Sequence, residues 1–151
     1  MREIASLEEL TALVGTEVAV SEWFAMTQQR VDTFADATDD HQWIHADTER
    51  TRRESPFGGP IAHGFLTLSM LSATFESALA MTDVKMAVNY GLNKVRFPAP
   101  VPVGSRIRTR LTLNKVEPIA GGAQLEWGAV VEVEGGSKPV CVAEFLVRRY
   151  S

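Results

Sequence analysis

Ala62-His63-Gly64-Phe65-Leu66-Thr67-Leu68-Ser69-Met70-Leu71-Ser72-Ala73-Thr74-Phe75-Glu76-Ser77-Ala78-Leu79-Ala80 is the longest apolar segment of the chain. Phe65, Leu66, Leu68, Met70, Leu71, Phe75 and Leu79 fall almost all round a helix, and a helix without a polar face has to be buried on most sides. From Gly64 to Ala80 it would run roughly 25 Å at 1.5 Å per residue, about the width of a small sheet. The expectation is a central helix with a sheet curling around it.

The sheet is expected downstream, where everything after Thr82 reads as strand. Val84, Met86, Val88 and Tyr90 alternate with Lys85, Ala87 and Asn89, a period of two that buries one face. After a turn at Pro98 to Gly104, Ile107, Thr109, Leu111 and Leu113 alternate with Arg106, Arg108, Arg110 and Thr112. Leu125, Trp127, Ala129, Val131 and Val133 alternate with Gln124, Glu126 and Glu132, and Cys141, Ala143, Phe145 and Val147 with Val140, Val142, Glu144 and Arg148. One outer face is thus basic and another acidic. Gly121-Gly122 and Gly135-Gly136 supply positive φ at hairpin turns, which makes the three long strands an antiparallel meander.

Upstream, Ser6 and Glu9 form a capping box for a short helix ending near Gly15. Glu17 to Thr27 suggests a strand, Gln28 to Ala37 a helix with Val31, Phe34 and Ala35 at helical spacing, and Thr48 to Glu54 a charged short helix stopped by Pro56-Phe57-Gly58-Gly59-Pro60. A strand, a region of helices and then several antiparallel strands make one α+β domain over residues 1–151.

Composition narrows the classes of function. The 45% hydrophobic and 23% charged content is that of a globular protein, and a net charge of −4 gives no electrostatic case for nucleic acid as a partner. The single Cys141 excludes an internal disulfide and reads as a small core residue. Met1-Arg2-Glu3-Ile4 lacks the pattern of a secretory signal, and no apolar run approaches the roughly 18 residues that span a bilayer. A cytoplasmic enzyme or binding protein away from the membrane is expected.

The chemistry concentrates just before the central helix. Asp39-Asp40-His41-Gln42 suits a turn, which can align Asp40 with His45; a helix would leave them roughly 140° apart around its axis. A carboxylate and an imidazole together can move a proton. Gly64, where the helix begins, has an N–H without a helical acceptor and lets a ligand approach the backbone. The plainer alternative makes Asp40 a turn cap, His45 a satisfied loop histidine and Gly64 a site of tight packing. His41, His45 and His63 with Asp39, Asp40 and Asp47 lack metal-site spacing, and no glycine-rich loop follows a strand in the dinucleotide pattern. Neither a metal nor a nicotinamide cofactor is expected.

Three stretches in this order, Asp40-x4-His45, Pro60-Ile61-Ala62-His63-Gly64 and Asn93-Lys94-Val95-Arg96-Phe97-Pro98-Ala99-Pro100-Val101, resemble the MaoC-like dehydratases, which include the (R)-specific enoyl-CoA hydratases, or hydratase 2. The likeness extends over nearly the whole chain and is greatest to single-domain actinobacterial members whose motif also reads His-Gln-Trp-Ile-His. It implies the hot-dog fold, an antiparallel sheet wrapped around a long central helix, and a homodimer with the two sheets joined edge to edge. It implies reversible hydration of an acyl-CoA thioester, trans-2-enoyl-CoA, without a cofactor, with Asp40 and His45 catalytic. Gly64 would polarise the thioester carbonyl.

By the same resemblance His63 is an orienting or capping residue, and Ser72 matches a serine near the catalytic aspartate, with a hydroxyl bonding its own helix as the alternative. Many members have Asn-Pro where this chain has Gln42-Trp43, so Trp43 becomes a candidate wall of the acyl site or a loop support. Lys94 and Arg96 read as a solvated face, with contact to coenzyme A phosphates as the alternative. The rivals are a hot-dog acyl-CoA thioesterase and a non-catalytic acyl-thioester binding subunit.

Overall fold

The computed structural model describes residues 1–151. The meander forms as its alternation requires: β6 (Arg106–Ile119), β7 (Gly122–Val133) and β8 (Pro139–Tyr150) pair antiparallel in sequence order. β2 (Glu17–Val20) and β3 (Phe24–Ala25) pair with β6 on one side, and β5 (Met86–Arg96) pairs with β8 on the other. Ile107, Leu111, Leu113, Leu125 and Trp127 point inward and are fully buried. Outward, Arg106 pairs with Glu134, Arg108 with Glu132, and Arg110 with Glu17, so the basic and acidic strand faces neutralise each other.

The strand expected from Glu17 to Thr27 is broken between β2 and β3. Ser21 makes the break: its backbone N–H donates to the Thr109 carbonyl while its Oγ accepts from Thr109 N, so the ladder is completed through a side chain. Gly121 and Gly135 take the positive φ expected of them, at 77° and 78°. Gly122 is glycine for a different reason, because a Cβ there would lie 1.9 Å from the Arg149 carbonyl oxygen of β8.

The apolar segment lies against the inner face as α5 (Gly64–Ser69) and α6 (Leu71–Ala78), joined through Met70. The bonds Met70 N to Leu66 O and Thr74 N to Met70 O carry the helical ladder across the joint. The helix stops two residues short of the expected Ala80. Leu79–Met81 is instead the strand β4, parallel to β1 (Arg2–Ile4), and Thr82 N donates to the Ile4 carbonyl. These residues suit strand as well as helix, and pairing with the distant N-terminus decides between them. No helix is long and apolar enough to cross a membrane.

Three of the remaining helices start at side-chain caps. Ser6 Oγ accepts from Glu9 N at the start of α1 (Leu7–Thr11), and Thr27 Oγ1 accepts from Arg30 N at the start of α2 (Gln28–Thr38). Asp47 caps α4 (Thr48–Glu54) in the same way through Arg50 N.

Two features depart from a simple layered core. Arg149, on the inner face of β8, is fully buried; its Nη2 donates to Asp83 Oδ2 at 2.6 Å and to Ser151 Oγ at 2.8 Å. β5, expected to bury one face, is exposed along most of its length, with Met86, Val88, Tyr90 and Leu92 each 44–53% accessible. Met86 and Val88, opposite Tyr150 and Arg148, lie on the outer face, whereas past the bulge after Asn89 Leu92 lies opposite Phe145 on the inner face, so the strand exposes apolar side chains on both sides.

Candidate active site

Helix α2 ends at Asp39, whose φ of 60° is the left-handed turn that aspartate tolerates better than most residues. The turn delivers Asp40 exposed and leads into the single helical turn α3 (Trp43–Ala46), which carries His45. The Ile61 N–H donates to the Ile44 carbonyl at 3.0 Å, lacing α3 to the segment before the central helix. As the sequence implied, Asp40 lies in a turn; His45 lies on a turn of helix too short to impose helical spacing on the pair.

His45 is buried, and its Nδ1 lies 2.7 Å from the Ile61 carbonyl oxygen. A carbonyl only accepts, so Nδ1 carries the proton, and the neutral ring presents Nε2 as an acceptor. Burial lowers the His45 pKa below its ordinary value; the Ile61 bond opposes this, His63 adds to the lowering, and Asp40 opposes it. The ring is therefore neutral near pH 7. His63 uses its nitrogens the other way round: Nε2–H donates to the Asp40 carbonyl at 3.0 Å, and Nδ1 is buried without a partner.

The two imidazoles stack at 3.8 Å between centroids, and Phe34 packs on His63 at 4.9 Å. Gln28 Nε2 donates to both the His45 carbonyl and Asp32 Oδ1 at 2.9 Å, so α2 clamps the backbone of the histidine. One atom each of Asp40, His45 and His63 falls within 4.8 Å of the others, as in a metal triad. The rings do not suit an ion. Their free lone pairs lie in nearly parallel planes tilted by 24°, so a cation about 2.1 Å from one nitrogen would stand well out of the plane of the other.

Gly64 is the first residue of α5, with no helical carbonyl to accept from its N–H. The Phe97 ring lies 3.1 Å from where its Cβ would be, so close packing and an accessible N–H both account for a glycine. Gly64, His45 and Thr67 line a recess of about 440 Å³ walled by Phe57, Phe97 and Pro98.

Ser72 does not line that recess. It is exposed on α6 in a second hollow of about 560 Å³ between the central helix and β5, with Leu68, Phe75, Leu92 and Phe145. The structure thus gives neither a core hydroxyl nor a contact with the Asp40 cluster within this chain. Trp43 lines neither hollow; the Arg50 guanidinium lies 4.1 Å above its ring, which fits the loop support rather than the acyl wall. Sequence reading missed Gln28 and Thr67, which carry no local signature of a site.

A sheet curled around a central helix defines the hot-dog fold, and a carboxylate and a neutral imidazole beside the helix start give it a pair able to move a proton. The chain belongs to the MaoC-like family, whose model, described as MaoC like domain, matches residues 9–134. It is 52% identical over 149 residues to 3-hydroxyacyl-thioester dehydratase Z of Mycobacterium tuberculosis strain H37Rv, covering 98% of each chain. Among the solved structures that share the fold are the monoamine oxidase regulatory protein of Archaeoglobus (TM-score 0.79, 24% identity, 99% of this chain and 97% of that one) and the unliganded (R)-hydratase PhaJ1 of Pseudomonas aeruginosa (TM-score 0.73, 20% identity, 91% and 82%).

Proposed function

We propose that this chain reversibly hydrates trans-2-enoyl-CoA to (3R)-3-hydroxyacyl-CoA. The observation that carries the reading is a neutral His45 that lines one recess with Gly64 and has a carboxylate oxygen of the exposed Asp40 within 4.8 Å of a ring nitrogen. The name of the 52% identical relative, a 3-hydroxyacyl-thioester dehydratase, fits the same reaction run in reverse.

One water would be held between the two acceptors. As its oxygen bonds to C3, its proton passes to the pair and the electron pair of the C2–C3 double bond moves onto the thioester oxygen, where the Gly64 N–H receives the charge. The proton then returns to C2, so the pair ends as it began. Asp40 is the base in this scheme. His45 can donate from Nε2 only a proton it has first received, because its resident proton is held on Nδ1 by Ile61. His63 fixes the Asp40 backbone and the His45 ring plane, and no metal takes part.

The test is a panel of enoyl-CoA substrates from four carbons upward, followed at the enoyl absorbance with free thiol measured in parallel, with and without a chelator. Hydration without thiol release, unchanged by the chelator, is expected. Thiol release without hydration would make the protein a thioesterase, and no turnover of any member would leave a binding subunit.

The active form is proposed to be a homodimer joined along β5. Its long free edge, flanked by exposed Met86 and Val88 on the outer face and Leu92 on the inner one, is what a second copy would cover. Light scattering at micromolar concentration is expected to give twice the chain mass of 16.6 kDa. A value of one chain mass would refute it.

A further inference from the structure

Of the 13 residues lining the recess at His45, only His45 and Thr67 have polar side chains. Thr67 is 2% exposed overall, and its hydroxyl is neither hydrogen-bonded within the chain nor among the sealed, unpaired polar atoms, so the oxygen borders the open recess. Its neighbours behave otherwise: Ser69 Oγ donates to Phe65 O at 2.8 Å, Thr74 Oγ1 to Leu71 O at 3.2 Å and Ser77 Oγ to Thr74 O at 2.9 Å. The usual acceptor for a helical threonine is the carbonyl four residues back. Here that carbonyl, His63 O, already accepts from both Leu66 N and Thr67 N at 3.1 Å. With that acceptor filled, the hydroxyl is left for whatever enters the recess.

Thr67 follows Gly64 by three residues, on the same face of α5, and helical side chains lean toward the N-terminus. Thr67 and Gly64 therefore stand side by side in the lining of one recess. We propose that Thr67 Oγ1–H is a second hydrogen-bond donor to the thioester oxygen of the substrate, beside the Gly64 N–H. Thr67 is then a catalytic residue, in a role that rests on the hydration reaction proposed above. Charge that gathers on that oxygen as water adds meets two donors already in place, in a recess with little competing water.

The experiment compares the wild-type chain with Thr67→Val and Thr67→Ser on the best enoyl-CoA of the panel, reading kcat, KM and melting temperature. Thr67→Val keeps the shape without the hydroxyl and is expected to lower kcat about 100- to 1000-fold, the scale for losing one donor to a developing oxyanion, with KM little changed. Its melting temperature should not fall, because the hydroxyl has no internal bond to lose. Thr67→Ser should keep most of the rate.

A Val variant as fast as wild type overturns this role alone. So does a slow Val variant that serine fails to rescue, or one that melts well below wild type, since either assigns Thr67 to packing. Absence of hydration by the wild-type chain on every substrate would sink the reaction and this role with it.

Discussion

Asp40→Asn and His45→Ala should each slow hydration by on the order of 10²–10⁴, the range for removing a positioned acid or base. Asparagine keeps the shape of Asp40 and an acceptor for the Gln42 N–H, which lies 3.4 Å from Asp40 Oδ1, so the turn should survive while the basic carboxylate is lost. Alanine at position 45 removes the free Nε2 along with the bond to Ile61, so the folded fraction has to be measured beside the rate. Groups that act on one water are not additive, and the double variant should be little slower than the poorer single one. Multiplicative losses would point to separate steps. A folded Asp40→Asn protein with full activity would exclude the mechanism.

The second large effect concerns stability and lies away from the recess. Asp83→Ala should destabilise the fold by about 3 kcal/mol, near the low end for breaking a buried ion pair because the Asp83 side chain is itself 30% exposed. The loss leaves the fully buried Arg149 guanidinium with Ser151 Oγ alone, while its Nε and Nη1 already lack partners. In a chain of this size that corresponds to a melting temperature lower by roughly 6–12 °C. Arg149→Met removes the charge instead of stranding it and should fall within about 1 kcal/mol of wild type, since apolar replacement of a buried pair is often neutral. Combined with Asp83→Ala, it should restore most of the loss. Equal destabilisation by the two single variants would mean that packing of the arginine stem, rather than an uncompensated charge, is what matters.

Much of this architecture was legible because it rests on periodicity. The all-round apolar helix and the three alternating strands depend on burial, which the order of residue types records directly. Leu79 and Ala80 read as the end of the helix because their strand partner, Arg2–Ile4, is distant in sequence. Arg149 continues the inward register of Cys141 to Val147, so its burial is implicit in the alternation, but the need for Asp83 is not. At the site, Asp40, His45, His63 and Gly64 could be named from two short stretches. Gln28 could not, because it acts through a backbone carbonyl 17 positions away. Trp43 was open to two readings because a side chain on a one-turn helix can face either way, and its contact with Arg50 is fixed only by the fold of α4.

The pairing of β5 with β8 also sets an order on how the protein is made. β6, β7 and β8 adjoin one another in sequence, whereas β5 finds its only strand partner, β8, beyond both β6 and β7, and such non-local pairing is slow to form. During synthesis β5 leaves the ribosome before β8 exists, and its Val88, Tyr90 and Leu92 wait beside the equally bare central helix. Until the last dozen residues emerge, the nascent chain carries an open strand edge that can pair with neighbouring chains. Truncation at the C-terminus should accordingly yield aggregation rather than a smaller soluble protein, and slower translation across β8 should prolong the need for chaperones.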